Sequence, residues 1–187
     1  MHYKTQFFLF IMVVSTSFIS IRPSHSFTMV DKRTNQFKST FLFFDSTQVA
    51  YFECNEFVSD ALNNYSIETI NHNFAGLLHS VKVAIVNKHD SAVIDTIYTF
   101  SNPANKIQIY KAKQNDFIFT FDVTDSLFNL IGDVNPGMTK DAFSQKFHIT
   151  ETINEKVQIA NSEDSMRFMF YFEKGKLKRI NSYLYLD

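Results

Sequence analysis

The sequence predicts an α+β fold: an antiparallel β-sheet, built as a meander of hairpins and covered on one face by short helices. Three observations carry that expectation. The chain holds 22 phenylalanines against four glycines and no tryptophan, and the rings recur at alternate positions in short runs, the pattern of strands that bury one face. The runs are joined by polar turns far shorter than the dozen or more residues a parallel crossover needs, so sequence neighbours should pair antiparallel. Only brief segments between them show helical spacing.

The first segment is an address rather than a structural element. His2 and Lys4 lead into the apolar run 7–14, which fades through hydroxyl residues into Ser24-His25-Ser26. A basic start, an apolar core and small residues at a cleavage point are the layout of a secretory signal. The run is broken before it reaches the roughly 20 apolar residues of a spanning helix. Residues 1–26 are therefore expected to be a signal peptide, with an uncleaved anchor as the alternative, and the mature chain to be soluble and periplasmic or secreted. Their removal takes away Lys4 and Arg22 and no acid, so the net charge moves from −1 to −3, and 187 less 26 leaves 161 residues. A chain of that size buries roughly 68–70% of its unfolded surface and needs no disulfide or metal to hold it. Cys54 stands alone, which excludes an internal disulfide and suits a buried thiol acting as a small apolar side chain.

Residues 27–38, polar from Asp31 to Gln36, are expected to form a flexible tether, and 39–187 a single α+β domain. Strands are predicted at 40–44 and 48–54 around Asp45-Ser46-Thr47. Phe57, Val58, Ala61, Leu62 and Tyr65 then make a helical stripe with Asn55 as its N-cap. Residues 67–78 are ambiguous, because Ile70, Phe74 and Leu77 suit a helix face that Gly76 weakens. Two hairpins follow, 81–86 with 93–100 and 106–110 with 117–123. The spacing in the last of these puts Phe117, Phe119 and Phe121 on one face.

The best-specified helix start lies at Thr139. As N-cap it places Asp141 in the positive first turn, with Met138 and Phe143 positioned as a hydrophobic staple. The helix is short and must gain its stability by packing Ala142, Phe143 and Phe147 on a sheet. That sheet is predicted from 157–160, from the alternation of Met166, Phe168, Phe170 and Phe172, and from 177–186 beyond a turn at Glu173-Lys174-Gly175-Lys176.

The step Gly137-Met138-Thr139-Lys140, with Phe143, Phe147 and the hairpin Phe168-Met169-Phe170-Tyr171-Phe172-Glu173-Lys174-Gly175-Lys176-Leu177, resembles a unit of small bacterial envelope proteins. These are the relatives of the β-lactamase inhibitor protein and of the smallest lipoproteins of the outer-membrane assembly machine. The resemblance spans residues 133–187 and implies a short helix lying on an antiparallel sheet, in that group often in tandem copies. It leaves open whether the halves 39–124 and 125–187 are two helix-plus-sheet copies. The chain lacks the lipid-attachment cysteine of those lipoproteins and the paired disulfides of the inhibitor, so the resemblance carries no partner across.

No catalytic chemistry is legible. His72, His79, His89 and His148 stand apart from one another and from Cys54, and no nucleophile elbow, zinc-binding helix or glycine-rich phosphate loop is present. Asp122, Asp125 and Asp133 lack the alternate spacing of a calcium loop. Lys174, Lys176, Lys178 and Arg179 surround one turn, too local a cluster for nucleic acid. No enzyme activity, cofactor or metal is expected. Two classes of function remain. One is an envelope module that binds a partner protein through exposed aromatics of the last hairpin, Tyr171, Tyr183 and Tyr185. The other is a carrier that holds a small apolar or lipid-like ligand under the sheet, in a pocket of Phe117, Phe119, Phe121, Phe168 and Phe170.

Overall fold

The computed structural model describes residues 36–44, 48–113 and 115–184, so the leader 1–26 and most of the tether 27–38 lie outside the described residues. Nine strands form one sheet: β1 (Thr40–Phe44), β2 (Val49–Glu53), β3 (His79–Val86), β4 (Ile94–Asn102), β5 (Asn105–Lys111), β6 (Asp116–Val123), β7 (Lys156–Ala160), β8 (Met166–Glu173) and β9 (Lys176–Leu184). Three short helices accompany them, α1 (Asn55–Asp60), α2 (Ile67–Asn73) and α3 (Lys140–Lys146), with a 3-10 turn at Ile131–Asp133. The strand order is β1-β2-β7-β8-β9-β6-β5-β4-β3. Every neighbouring pair is antiparallel except β2 with β7. The α+β class and the two meanders, β3 to β6 and β7 to β9, follow the sequence. The parallel pair does not, because turn lengths constrain only strands adjacent in the chain.

Period-two alternation organises the whole sheet. One cross-strand row runs Ser80, Phe100, Ile107, Phe121, Ser182, Phe168, Ile159, Phe52, Phe41 across all nine strands. The row one residue along runs Val81, Thr99, Gln108, Thr120, Tyr183, Arg167, Ala160, Glu53, Thr40. The first is apolar apart from two small serines and the second mostly polar, so the register is fixed by burial. Rings from the helices join the apolar side. Phe57 of α1 lies 5.3 Å from Phe168, and Phe143 of α3 lies 4.8 Å from Phe170 and 5.1 Å from Phe172.

Local chemistry explains the helix ends. The Thr139 hydroxyl accepts from the Ala142 N–H at 3.2 Å, as its N-cap position requires. Just before it, Gly137 donates its N–H to Leu177 and Lys140 to Gly175, which ties the start of α3 to the β8–β9 turn. In that turn Lys174 and Gly175 both have positive φ, the geometry that two-residue hairpin loops favour. The ambiguous segment resolves into α2, opened by a reciprocal Ser66–Thr69 capping box.

Four expectations are corrected. Phe117, Phe119 and Phe121 do not share one face, because the β5–β6 register slips where Gln108 pairs with Thr120 and Ile109 with Ile118. That bulge turns Ile118 into the core with Phe121. Asn55 is the first helical residue of α1, and its N-cap is the buried Cys54. The helical stripe is also shorter than expected, because α1 ends at Asp60 and Ala61 to Asn64 form turns. Phe37, assigned to the tether, is core: it is buried, lies 5.2 Å from Phe57 and 5.4 Å from Phe147, and donates its N–H to Lys146.

Candidate functional site on the second sheet face

Because Phe168, Phe170 and Phe172 point to the helix side, alternation sends Arg167, Met169 and Tyr171 of β8 to the second face. Their register partners Tyr183, Asn181 and Arg179 of β9 lie there with them, followed by Asp122 and Thr120 of β6 and by Gln158 of β7.

At the centre, the Arg179 guanidinium donates from Nε to Asp122 Oδ1 at 2.7 Å and from Nη2 to Oδ2 at 2.5 Å. These bonds to the carboxylate push its pKa above the ordinary arginine value. The same guanidinium lies 5.7 Å from the Tyr171 ring centroid, a cation–π distance. Burial, and then the neighbouring Tyr183, raise the Tyr171 phenol above its usual pKa. Arg167 is held less firmly. Its ion pair with Asp164 spans 3.8 Å between half-exposed groups, well beyond the roughly 2.7–2.9 Å of a charge-assisted hydrogen bond. It lines a half-open cleft of about 400 Å³ together with Gln158, Met169, Tyr183 and Leu184. Beside that cleft Asn181 is 7% exposed, and its Oδ1 has no hydrogen-bond partner.

The second face continues over β4 and β5. Asp95 is buried and accepts on Oδ2 from Tyr110 at 2.5 Å and from Asn87 at 2.6 Å, while its Oδ1 has no partner. The hydrogen bond to Asp95 raises the Tyr110 pKa, and the Tyr110 ring stacks on Phe117 at 5.0 Å.

The sequence-predicted residues fall in three groups. Tyr183 is 53% exposed and walls the cleft, and Tyr171 is half-buried against Arg179. Tyr185 lies outside the described residues. The five rings of the expected pocket are not brought together. Phe121, Phe168 and Phe170 are fully buried among other rings, and Phe119 is half-buried in the bulged strand. Phe117 alone lines a cleft. That cleft, of about 420 Å³, opens between α1, the α1–α2 turn and β5–β6, floored by Val58, Leu62, Ile109, Ile118 and Met166.

The residues missed from sequence are Arg167, Met169, Gln158 and Asn181. A signal was present in β8, where the positions between the buried phenylalanines must face the other way. Among the described residues no three His, Cys, Asp or Glu side chains gather as metal ligands. Among the described residues the four histidines, His72, His79, His89 and His148, are exposed and separate. Burial raises the Cys54 thiol above its ordinary pKa, against activation as a thiolate. Among the described residues no helix is long and apolar enough to cross a membrane. The chain matches no protein-family model, no curated protein and no solved structure.

Proposed function

We propose that this chain is an exported, non-enzymatic envelope protein that binds another protein through the second face of its sheet. The observation that carries this is the grouping there of Tyr183, Met169 and Arg167 around a cleft, with Tyr171 on the same face against Arg179 and an Asn181 amide oxygen beside the cleft that is buried and unpartnered. Tyrosine, methionine and arginine are the side chains enriched at the centres of protein interfaces. In this reading the short helices roof the opposite face, which the contacts of Phe57 in α1 and Phe143 in α3 with the β8 rings support. In the same reading the two halves of the domain are tandem helix-plus-sheet copies. The first, after its β1–β2 hairpin, and the second both run from helix into meander, and their last strands, β6 and β9, lie side by side antiparallel. Export rests on the layout of residues 1–26.

Replacing Tyr171, Tyr183 and Tyr185 with serine is expected to weaken a partner that co-purifies from the native envelope by at least about 2 kcal/mol, roughly thirtyfold. The melting temperature should hardly move. Unchanged affinity, or a melting point that falls instead, overturns the reading of these rings as a contact surface. Mass spectrometry of the same material should show a mature N-terminus near Phe27, and a chain that retains Met1 overturns the cleaved leader.

A second reading is favoured by one observation, the apolar floor of the cleft beside α1. Its volume lies in the range of small-ligand sites. A lipid extracted with the purified protein, and lost when Ile118→Glu charges the floor, would move the function from surface to cavity.

A further inference from the structure

The sheet ends on two very different edges. β1 is five residues long and its pairing with β2 is broken by a register shift between Phe41 and Phe43, both devices that blunt an edge. β3 is eight residues long and pairs with β4 through eight consecutive partners without a bulge. Among the described residues nothing pairs with its outer side. Beside polar His79, Ser80 and Lys82 it exposes three large apolar side chains, Val81 at 43%, Val83 at 49% and Val86 at 59%. Its one charge, Lys82, lies with Nζ 5.0 Å over the Tyr98 ring of β4, drawn inward rather than guarding the edge. A long, flat, apolar edge is a template for another strand.

Which groups face outward follows from the hairpin. The Asn87 N–H donates to the Val93 carbonyl at 2.9 Å, so that pair is hydrogen-bonded. Counting back through the unbroken register, Ile85, Val83, Val81 and His79 spend their backbone groups on β4, and Val86, Ala84, Lys82 and Ser80 point theirs outward. We infer that this edge joins a second copy of the chain, β3 against β3, antiparallel about a two-fold axis at Val83.

Only this register uses the whole strand. It hydrogen-bonds Lys82 to Ala84 of the second copy and Ser80 to Val86 of the second copy. It sets Val83 against itself and Val81 against Ile85 in the non-hydrogen-bonded positions, where side chains approach closest. The small Ala84 leaves room for the Lys82 stem. An axis at Lys82 would oppose two like charges, and an axis at Ala84 would shorten the ladder. The dimer goes beyond the proposed partner surface, because it uses an edge and leaves the second face free.

Sedimentation of the full chain over roughly 1–100 µM should show the mass doubling. Ala84→Pro removes an outward N–H and no bond to β4, and is expected to halve that mass with an unchanged far-UV spectrum. Val83→Cys should form a disulfide-linked dimer on mild oxidation, at least tenfold faster than Val81→Cys, whose partner across the axis is Ile85. The buried Cys54 contributes no background. A monomer throughout, a folded Ala84→Pro dimer, or equal cross-linking of the two cysteine variants would overturn the inference. If Ala84→Pro loses its spectrum, the cysteine pair decides. Serine variants of Tyr171 and Tyr183 should leave the dimer intact, so the two proposals fail separately.

Discussion

Replacing Phe143 with alanine tests whether α3 is held by its seat on the sheet. The helix has seven residues, about half the length at which an isolated helix begins to persist in water, so tertiary packing must supply its stability. Phe143 is 0% exposed and its ring lies 4.7 Å from Phe147, 4.8 Å from Phe170 and 5.1 Å from Phe172. Truncating a buried phenylalanine costs about 3–5 kcal/mol, and three ring neighbours place this site in the upper half of that range. Alanine's better helix propensity returns about 0.5 kcal/mol. The expected net loss is about 4 kcal/mol, a large share of the roughly 5–15 kcal/mol that holds a typical domain. At about 2–4 °C per kcal/mol for a domain of this size, the melting point should fall by about 8–16 °C. The chain has no tryptophan, so urea unfolding is best followed by far-UV circular dichroism, with a lower midpoint and an unchanged slope. Phe119→Ala is the control. This ring sits half-buried in the bulged strand, and its loss is expected to cost about 1 kcal/mol. A Phe143→Ala loss below about 1.5 kcal/mol, or one that Phe119→Ala matches, would mean that α3 does not depend on β8.

Two further predictions concern Tyr65 and the glycines. Tyr65 donates its hydroxyl to the Asn129 carbonyl at 3.1 Å, and burial pushes its phenol up to about 12. Unfolded tyrosine titrates near 10, so its contribution is complete below about pH 10 and is lost as pH rises through about 12, worth at most about 2–3 kcal/mol. Tyr65→Phe should flatten that stretch of a stability-against-pH curve, and identical curves for the two proteins would refute the buried phenol. Gly132 and Gly76 both have positive φ, but a Cβ at Gly132 would come within 2.5 Å of Phe37 Cε2 whereas one at Gly76 meets nothing within 4 Å. Both alanine variants share a backbone cost of about 1–2 kcal/mol, so urea midpoints should show Gly132→Ala worse by at least a further 1–2 kcal/mol, and equal losses would remove Phe37 from the core.

The strands were legible because alternation and turn chemistry are local. Met166 to Phe172 alternates, and Glu173 to Lys176 supplies the turn residues, so the β8–β9 hairpin is specified by a single window. Thr139 was equally legible, since an N-cap is read within four residues. What escaped depends on partners remote in the chain. The bulge in β6 follows from fitting Ile118 and Phe121 to β5 together, which outweighs the simple alternation of the three phenylalanines. Phe37 enters the core through Lys146, Phe57 and Phe147, none of them nearby in sequence. The candidate site divides in the same way. That Tyr171 faces away from Phe170 was readable, but the Arg179–Asp122 pair joins residues 57 apart through β6–β9 pairing, which no local pattern announces.

The two sheet faces differ in what they ask of their polar groups. Three buried side-chain oxygens among the described residues lack a partner: Ser182 Oγ on the helix side, and Asn181 Oδ1 and Asp95 Oδ1 on the second face. Each costs about 1–3 kcal/mol relative to a satisfied group. Ser182 has a packing reason to be there, because it lies between Phe121 and Phe168 in the apolar row, and a larger residue would crowd those two buried rings. Asp95 keeps one oxygen engaged with Tyr110 and Asn87, which fixes the end of the β3–β4 hairpin. Asn181 has neither excuse. It stands between Met169 and Asp122, where leucine would fill the same space with no unmet acceptor. Folding alone selects against an amide at this place. On the proposed reading, a donor from a partner laid along the Gln158–Met169–Asn181–Asp122 row would offset that cost once the side chains shielding the oxygen give way.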